Sequence, residues 1–565
     1  MTSLKWIFRP AVLIGFSILL VVAATVVVFP FEGGAARPQP QPVSSGDLEI
    51  AWLYPATSAT TWERFALALQ QTRQRLHDAY PELRWELHQN ETAHAQGTPE
   101  VALSWTRDGT TSRLLFRWYK LTSQWTPEAW VDALLARRPT PLAIVGGNNS
   151  HWARELARCL AAGTQDLPPT SRPLLLLTTA TADRVPLVEG RDRWGPSSGE
   201  AVSARWIDDA RTVVLTSIYA DRTFRFCFSN RQMATAVTRF LWTRPDLCPD
   251  ADPAFLVQWT DDAYSQDLFA GYIRVLDHRA ADSFLDQWGF VSGALTLGLP
   301  APALAGWHTS AFRHETTVLL DVDSSVGTFA SPNPYESKVV RDLLSQVGPV
   351  PRRPLLVLTG QQQPSRRLLR DLARSAPDTA RRFVVAMGDA LSFNTIFRDR
   401  QVTWPIQDLP FCLVHFAHRN PVDESAGFQA SGGGSLRSPT GSSGTEDVLL
   451  FRDITEACAL ALLRDGGSQS TPVELAEGLQ AVRFVEGRLT LGSVGVPFFA
   501  TNGQRTGGTG EHVVHIQPQF VGERVLPRAT IEVWARQAPR GWIRAAKPLV
   551  ISFNEFEVQH GDRPQ

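Results

Sequence analysis

Along this chain, apolar runs end in small polar residues and pass straight into segments whose apolar positions recur at i, i+3, i+4 and i+7, the spacing of a buried helical face. In one such unit LAIVGG (142–147) opens into Asn148, Asn149 and Ser150, and Ala153, Leu156, Ala157 and Leu160 then trace the helical stripe. Others begin with the runs PLLLLTTATAD at Pro173, FLVQWTDDAY at Phe255 and PLLVLTGQQ at Pro354. Strands apolar throughout and alternating with helices predict parallel sheets covered on both faces, with ligands taken beyond the carboxyl ends of the strands.

The pattern also predicts local detail. LEIAWLYP at Leu48 reads as the first strand, and Thr60 with Glu63 as the capping box of the helix after it. The alternating VALSW and RLLFRWYKL segments (101–121) predict a hairpin inserted into the α/β pattern. Thr126 and Pro127 predict an N-cap and first helical residue, as do Asn333 and Pro334 with Glu336. Ser150 is a candidate N-cap for the helix from His151, and Leu450, Ile454, Cys458 and Ala461 trace a late helix. From Gly495 the chain turns to strands, VPFFATNG, HVVHIQPQ, TIEVWARQ and PLVISFNEFEV.

The amino terminus adds a compartment. Residues 11–31 carry no charge, follow Lys5 and Arg9 and precede Glu32. Such a run is long enough to cross a bilayer of about 30 Å, and its flanking charges put the short tail in the cytoplasm and the body outside. A cleaved signal peptide is the competing reading, but the run is longer than such a peptide's apolar core, and we read an uncleaved anchor in the inner membrane. The Pro-rich stretch 33–46 would hold the body off the surface.

Length and charge narrow the function. The 565 residues require more than one core, and 55 basic against 56 acidic residues leave no field to favour nucleic acid. The five cysteines show no metal-ligand spacing, although Cys227 and Cys248 flank one helix and could pair in an oxidising compartment. We expect neither metal nor cofactor. The break at 246–253 suggests a lobe boundary, giving a tail at 1–10, an anchor at 11–31, a linker at 32–47, a first lobe at 48–245, a second at 254–408, a return to the first at 409–490 with a Gly/Ser loop at 425–444, and completion of the second at 495–560.

The order of these units resembles the type I periplasmic binding proteins, in the branch of branched-chain amino-acid and amide receptors. AIVGGNNSHWARELA, LLLTTATADR, FRFCFSNRQMATAVTRFLW, FLVQWTDDAYSQDLFAGYIRVL, LLVLTGQQQPSRRLLRDLA, FVVAMGDA, LLFRDITEACALAL and VPFFATNGQR are similar, in sequence order, to that family's successive segments. The resemblance implies an α/β fold of two doubly wound lobes joined by hinge crossings. It implies ligand contacts at Asn149, Ser150, Thr179 and Thr181 from the first lobe and Tyr264, Gln361, Gln362 and Asp389 from the second. Two departures weigh against an α-amino acid: Ala390 stands where the family's acidic residue belongs, one position from Asp389, and the loop 55–61 lacks the usual Gly.

Enzyme-like signals are weaker. Gly195, Ser197 and Gly199 spell G-x-S-x-G after a charged segment rather than a buried strand. Asp321, Asp323, Thr359 and Asp389 mimic a phosphatase signature without a lysine between Lys338 and Lys547. His415 and His418, like His512 and His515, are three apart on predicted strands and so point to opposite faces. Trp52 and Trp62 bracket a loop where a ligand could stack. The reading is a membrane-tethered solute-binding protein without chemistry of its own, working with a permease of the ABC type or a sensor partner. The alternatives are the same fold used as a protein-interaction module and, third, a hydrolase.

Overall fold

The computed structural model describes residues 37–55, 59–90, 97–186, 212–244, 246–247, 254–259, 262–276, 317–322, 334–347, 353–390, 410–422, 429–430, 436–437, 445–464, 470–521, 524–537, 541–545 and 547–552. The expected anchor, the G-x-S-x-G motif, Asp323, Asn333, Cys248 and most of the Gly/Ser loop lie outside them. No described helix is long and apolar enough to cross a membrane.

In chain order the elements are β1 (Asp47–Pro55), α1 (Ala59–Ala79), β2 (Arg84–Gln89), β3 (Glu100–Arg107), β4 (Thr110–Leu121), α2 (Pro127–Ala136), β5 (Ala143–Gly146), α3 (Ser150–Gly163), β6 (Leu174–Leu177), β7 (Arg184–Pro186), β8 (Thr212–Val214), β9 (Thr223–Arg225), α4 (Asn230–Trp242), β10 (Ala254–Trp259), α5 (Ala263–Leu276), β11 (Thr317–Val322), α6 (Pro334–Gln346), β12 (Leu355–Leu358), α7 (Gln362–Ser375), α8 (Pro377–Ala380), β13 (Val384–Met387) and β14 (Cys412–Ala417). After them come β15 (Gln429–Ala430), β16 (Leu436–Arg437), α9 (Thr445–Arg464), α10 (Pro472–Ala481), β17 (Val482–Val485), β18 (Arg488–Leu491), β19 (Val496–Pro497), β20 (His512–Val521), β21 (Arg524–Gln537), β22 (Gly541–Arg544) and β23 (Leu549–Ser552).

Two large sheets result. The first has the order β2-β3-β4-β1-β5-β6-β9, parallel from β4 onward. The predicted hairpin is β3 and β4, antiparallel, and it is more than an insertion: β4 lies parallel to β1 along that strand's whole length, from Asp47↔Arg113 to Pro55↔Leu121. The second sheet runs β11-β10-β12-β13-β14 in parallel and continues antiparallel through β20, β21 and β22, with β23 also on β21. The parallel strands β5, β6, β10, β12 and β13 are buried on both faces, as their apolar runs require.

Helices cover both faces of each sheet. Phe65, Leu69 and Leu76 of α1 and Ile454, Cys458 and Leu462 of α9 pack on one face of the first sheet, and Leu134 of α2 with Leu156 and Leu160 of α3 on the other. Val339, Leu343, Leu368 and Leu372 cover one face of the second sheet, and Val237, Phe240 and Leu268 its opposite face.

Several local expectations change. Helix α1 starts at Ala59, so Thr60 lies inside its first turn and is no N-cap. Of VPFFATNG only Val496 and Pro497 form a strand, because Phe498 and Phe499 turn into the first core against Phe224 and Phe226. Trp52 is not a ligand platform. It is wholly buried, stacked on Trp118 at 5.1 Å and edge-on to Phe65 and Phe451, where aromatic packing adds roughly 0.5–1.5 kcal/mol per pair to the burial itself. The cap at Thr126 is formed, with its hydroxyl accepting from Ala129 N at 3.3 Å.

Candidate functional site

The tip of the first sheet is laced by hydroxyl-to-backbone bonds. Gly147 has φ +75°, and a Cβ there would stand 2.8 Å from that of Ala153, so the chain turns from β5 into α3 at a position only glycine suits. Asn149, not Ser150, is the N-cap: its side chain accepts from Trp152 N at 2.9 Å. Ser150 is the first helical residue, buried, and its Oγ instead accepts from Ala182 N at 3.2 Å in the loop after β6. Thr179 donates to Asn148 O at 2.9 Å, and the buried Thr181 accepts at its carbonyl from Asn230 N at 2.8 Å.

The tip of the second sheet is a charged network. The buried Tyr264 hydroxyl, at the start of α5, donates to Asp389 Oδ1 at 2.9 Å, and the other carboxylate oxygen pairs with His418 Nε2 at 2.9 Å. His418 Nδ1 receives Phe228 N–H at 3.1 Å, so Nδ1 is bare and the ring proton is on Nε2, donating to Asp389. Burial works to raise the Asp389 carboxyl, but the hydrogen bonds from His418 and Tyr264 outweigh it and leave it below the ordinary range. Burial first and the Asp389 charge second push the Tyr264 phenol far up. Glu446, at the start of α9, accepts from His418 N at 2.8 Å and is pushed up to about 8 by burial, with the His418 N–H opposing and the Asp389 charge adding. Gln361 is the N-cap of α7, exposed and without a side-chain cap bond, and Gln362 is its first residue. Among the described residues, the bonds of Tyr264, Asp389 and His418 go to one another, to Phe228, to Ala390, to Asp262, to Glu446, to Asn230 and to Arg505.

These groups sit where the chain passes between the sheets, at 226–230, 417–420 and 503–511. Arg505 ties the three passages together. Its guanidinium donates to Phe226 O at 2.7 Å, to His418 O at 3.4 Å and to Thr509 O at 2.7 Å, and lies 4.0 Å from the Phe228 ring centre. Burial and the neighbouring Arg419 push it down to about 9, against the pull of Asp453. Arg419 in turn forms a buried two-pronged pair with Asp453 of α9, at 2.8 and 2.6 Å.

Beside this cluster is a cavity of ≈ 550 Å³. Asp183, Arg184 and Thr212 wall it from the side of the first sheet, Gln266 and Asp267 from α5 and Gln504 from the third passage. Asp267 accepts from the backbone N–H of Asp183 at 2.7 Å and of Arg184 at 3.1 Å. Burial first and the Asp183 charge second push it up to about 7. None of the eight residues expected to touch a ligand lines this cavity. Sequence reasoning missed His418, Arg505 and Asp267. Spacing alone reads His418 only as half of a poor metal pair with His415; it lies just past the end of β14, while His415 is wholly buried inside the strand. Among the described residues no three His, Cys, Asp or Glu side chains are placed to hold a metal ion.

No family model matches the chain, and no curated protein matches it. The chain is similar to solved structures of ABC transporter substrate-binding proteins. That of Desulfitobacterium hafniense in complex with leucine is 12% identical over 85% of this chain and 99% of its own, with a TM-score of 0.45. The branched-chain amino acid transporter substrate-binding protein of Streptococcus pneumoniae, in complex with isoleucine, is 11% identical over 86% and 99%, with a TM-score of 0.43. A solute-binding protein of R. palustris in complex with 4-hydroxybenzoate is 10% identical over 85% and 95%, with a TM-score of 0.43.

Proposed function

We propose that this chain is a solute-binding module of two lobes that closes on a small polar ligand and performs no chemistry on it. The observation that carries the reading is contact across the gap: Asp267 on α5 accepts from the backbone N–H groups of Asp183 and Arg184 on the first-sheet side. A ligand bonded to both sides stabilises closure by what it gains there. Asn149, Ser150, Thr179 and Thr181 are the first lobe's contacts, and Tyr264, Gln361, Gln362 and Asp389 the second's. Both Asp389 oxygens are bonded within the protein, which favours an amide-like ligand over one that brings an ammonium group. The charge-free run at 11–31 tethers the body outside the cytoplasm, beside an ABC-type permease or a sensor.

A second reading, the same fold used as a protein-interaction module, is favoured by one feature. The Ser150, Thr179 and Asp389 side chains already have partners inside the protein, so the tips are satisfied without a ligand. A titration panel of amides, urea, amino acids and short peptides separates the two. Binding by an amide, weakened about tenfold to a hundredfold in Tyr264→Ala and accompanied by compaction in small-angle scattering, supports the solute-binding reading. Wild-type affinity and closure in both Thr181→Ala and Tyr264→Ala would reject it.

A further inference from the structure

Away from the passages, on the second sheet, three side chains from three neighbouring strands form a relay that the solute-binding reading does not use. Cys412 opens β14, His515 lies on β20 and Glu532 on β21. His515 is paired directly with Glu532 and with Val414, two residues on from Cys412, so the alternation of strand side chains puts all three on one face. Cys412 Sγ is 3.4 Å from His515 Nε2, and His515 Nδ1 is 3.2 Å from Glu532 Oε2. The carboxylate fixes the proton on Nδ1, which leaves Nε2 as a bare base facing the thiol.

The surroundings are arginine-rich. Arg244 and Arg544 donate to Glu532 at 3.2 and 2.6 Å, Arg244 also pairs with Asp246, and Arg353 donates to the Asp246 carbonyl at 2.8 Å. Among the described residues, the guanidiniums of Arg244, Arg353 and Arg544 and the carboxylates of Asp246 and Glu532 gather here. The His515 hydrogen bond is the largest influence on Glu532 and, over the opposing effect of burial, brings it down to about 2, so it is a permanent anion beside the imidazole.

We propose that Cys412 is a modification site at which the thiol exchanges with an anionic low-molecular-weight disulfide, His515 acting as base and Glu532 holding its ring. The Cys412 proton passes to His515 Nε2 as the sulfur attacks one sulfur of the disulfide. The disulfide's S–S bond breaks, and its other sulfur leaves with the electron pair and takes the proton from His515. Cys412 sulfur is oxidised to a mixed disulfide and the departing sulfur is reduced to a thiol, with no other oxidant.

The chain supplies its own controls. Cys227 and Cys458 are wholly buried, and Cys227 is spent on the Ala180 carbonyl at 3.4 Å. Cys159 is more open, but burial and the charges of Glu155, Glu128 and Asp132 push its thiol up to about 12. Burial also pushes the Cys412 thiol up to about 12, but there Arg353 and Arg244 pull downward, and the thiol has a base in contact. Cys412 is 5% exposed, on the strand between β13 and β20 and just after the buried Pro410 and Phe411, so a reagent reaches it only through local opening of that strand end.

The test treats the full-length chain with oxidised glutathione, with cationic cystamine and with neutral iodoacetamide, and follows each cysteine by peptide mass spectrometry. Cys412 is expected to react about tenfold faster than Cys159 with glutathione disulfide, and His515→Gln to slow Cys412 about tenfold or more while leaving Cys159 unchanged. Added salt should slow the glutathione reaction and not the iodoacetamide one. If His515→Gln fails to fold by its thermal melt, Glu532→Gln carries the test, with a smaller slowing expected. Cys159 reacting as fast as Cys412, an unreactive Cys412, or unchanged rates in the folded variant would overturn the relay. Faster reaction with cystamine than with glutathione disulfide would overturn the anionic preference.

Discussion

The tips of the two sheets are built from the same strand-to-helix unit yet are held in opposite ways. At the first, the side-chain hydroxyl bonds that join the loops after β5 and β6 are neutral and short in sequence: Thr179 to Asn148 spans 31 residues and Ala182 to Ser150 spans 32. At the second they are largely charged and long, with Tyr264 reaching Asp389 across 125 residues, Phe228 reaching His418 across 190 and Arg505 reaching Phe226 across 279. The first set fastens one lobe to itself. The second fastens the passages between lobes, so a change there is felt by the whole molecule and a change at the first tip stays local.

The largest effect should come from Arg505. Its partners are backbone carbonyls on all three passages, and removing it strands them together in a buried, low-dielectric setting. Arg505→Ala should lose about 3–5 kcal/mol of stability in denaturant unfolding, the range for breaking a buried charged network. Arg505→Lys should rescue little, because one ammonium cannot span the fork that reaches Phe226, His418 and Thr509. Near-wild-type stability in Arg505→Lys would remove the distinction between the tips.

A pH titration sharpens the same contrast, because the second tip and its neighbour hold the raised carboxyls. Asp267 is pushed up to about 7 and Glu446 to about 8, each by burial first. Between the unfolded value near 4 and these folded values the native state binds more protons than the unfolded one, so the contribution of these two groups is full below about pH 4 and falls as pH rises toward 8. Asp267→Asn should flatten part of the slope and Glu446→Gln another part. Asp389, held below its ordinary value, has the opposite sign: its contribution is present above about pH 4 and lost only as pH falls further. A wild-type stability that rises from pH 5 to 8 would contradict this assignment.

The contrast also marks what could be read from the chain. The periodic units, the cap at Thr126, the hairpin at 101–121 and the burial of Leu450, Ile454, Cys458 and Ala461 follow from spacing within a few residues, and all are present. The first tip was nearly legible because its partners sit in two adjacent units. His418, Arg505 and Asp267 were not, since nothing local distinguishes them and their meaning depends on pairings across the passages. His418 does carry a faint signal: a histidine and an arginine, His418-Arg419, immediately follow a mostly apolar strand, at a strand end where parallel sheets place their sites. Trp52 failed for the reverse reason, because a residue beside a tip loop in sequence lies inside the sheet in space.

The smallest expected effect tests the first tip alone. Asn149 and Ser150 are neighbours with different tasks: Asn149 caps α3 through Trp152 N, and Ser150 accepts from Ala182 N in the adjoining loop. Asn149→Ala should cost about 1 kcal/mol, the usual loss of an N-cap, and Asn149→Ser or Asn149→Asp should restore most of it because either oxygen satisfies the same N–H. Ser150→Ala should cost a similar amount, through a buried N–H of Ala182 left without an acceptor. Asn149 and Ser150 bond to different N–H groups, so the double variant should lose close to the sum of the two single losses when unfolding is followed in denaturant. A strong departure from that sum would mean that the two loops form one coupled network, as the second tip does, and the difference between the tips would then be one of charge and not of reach.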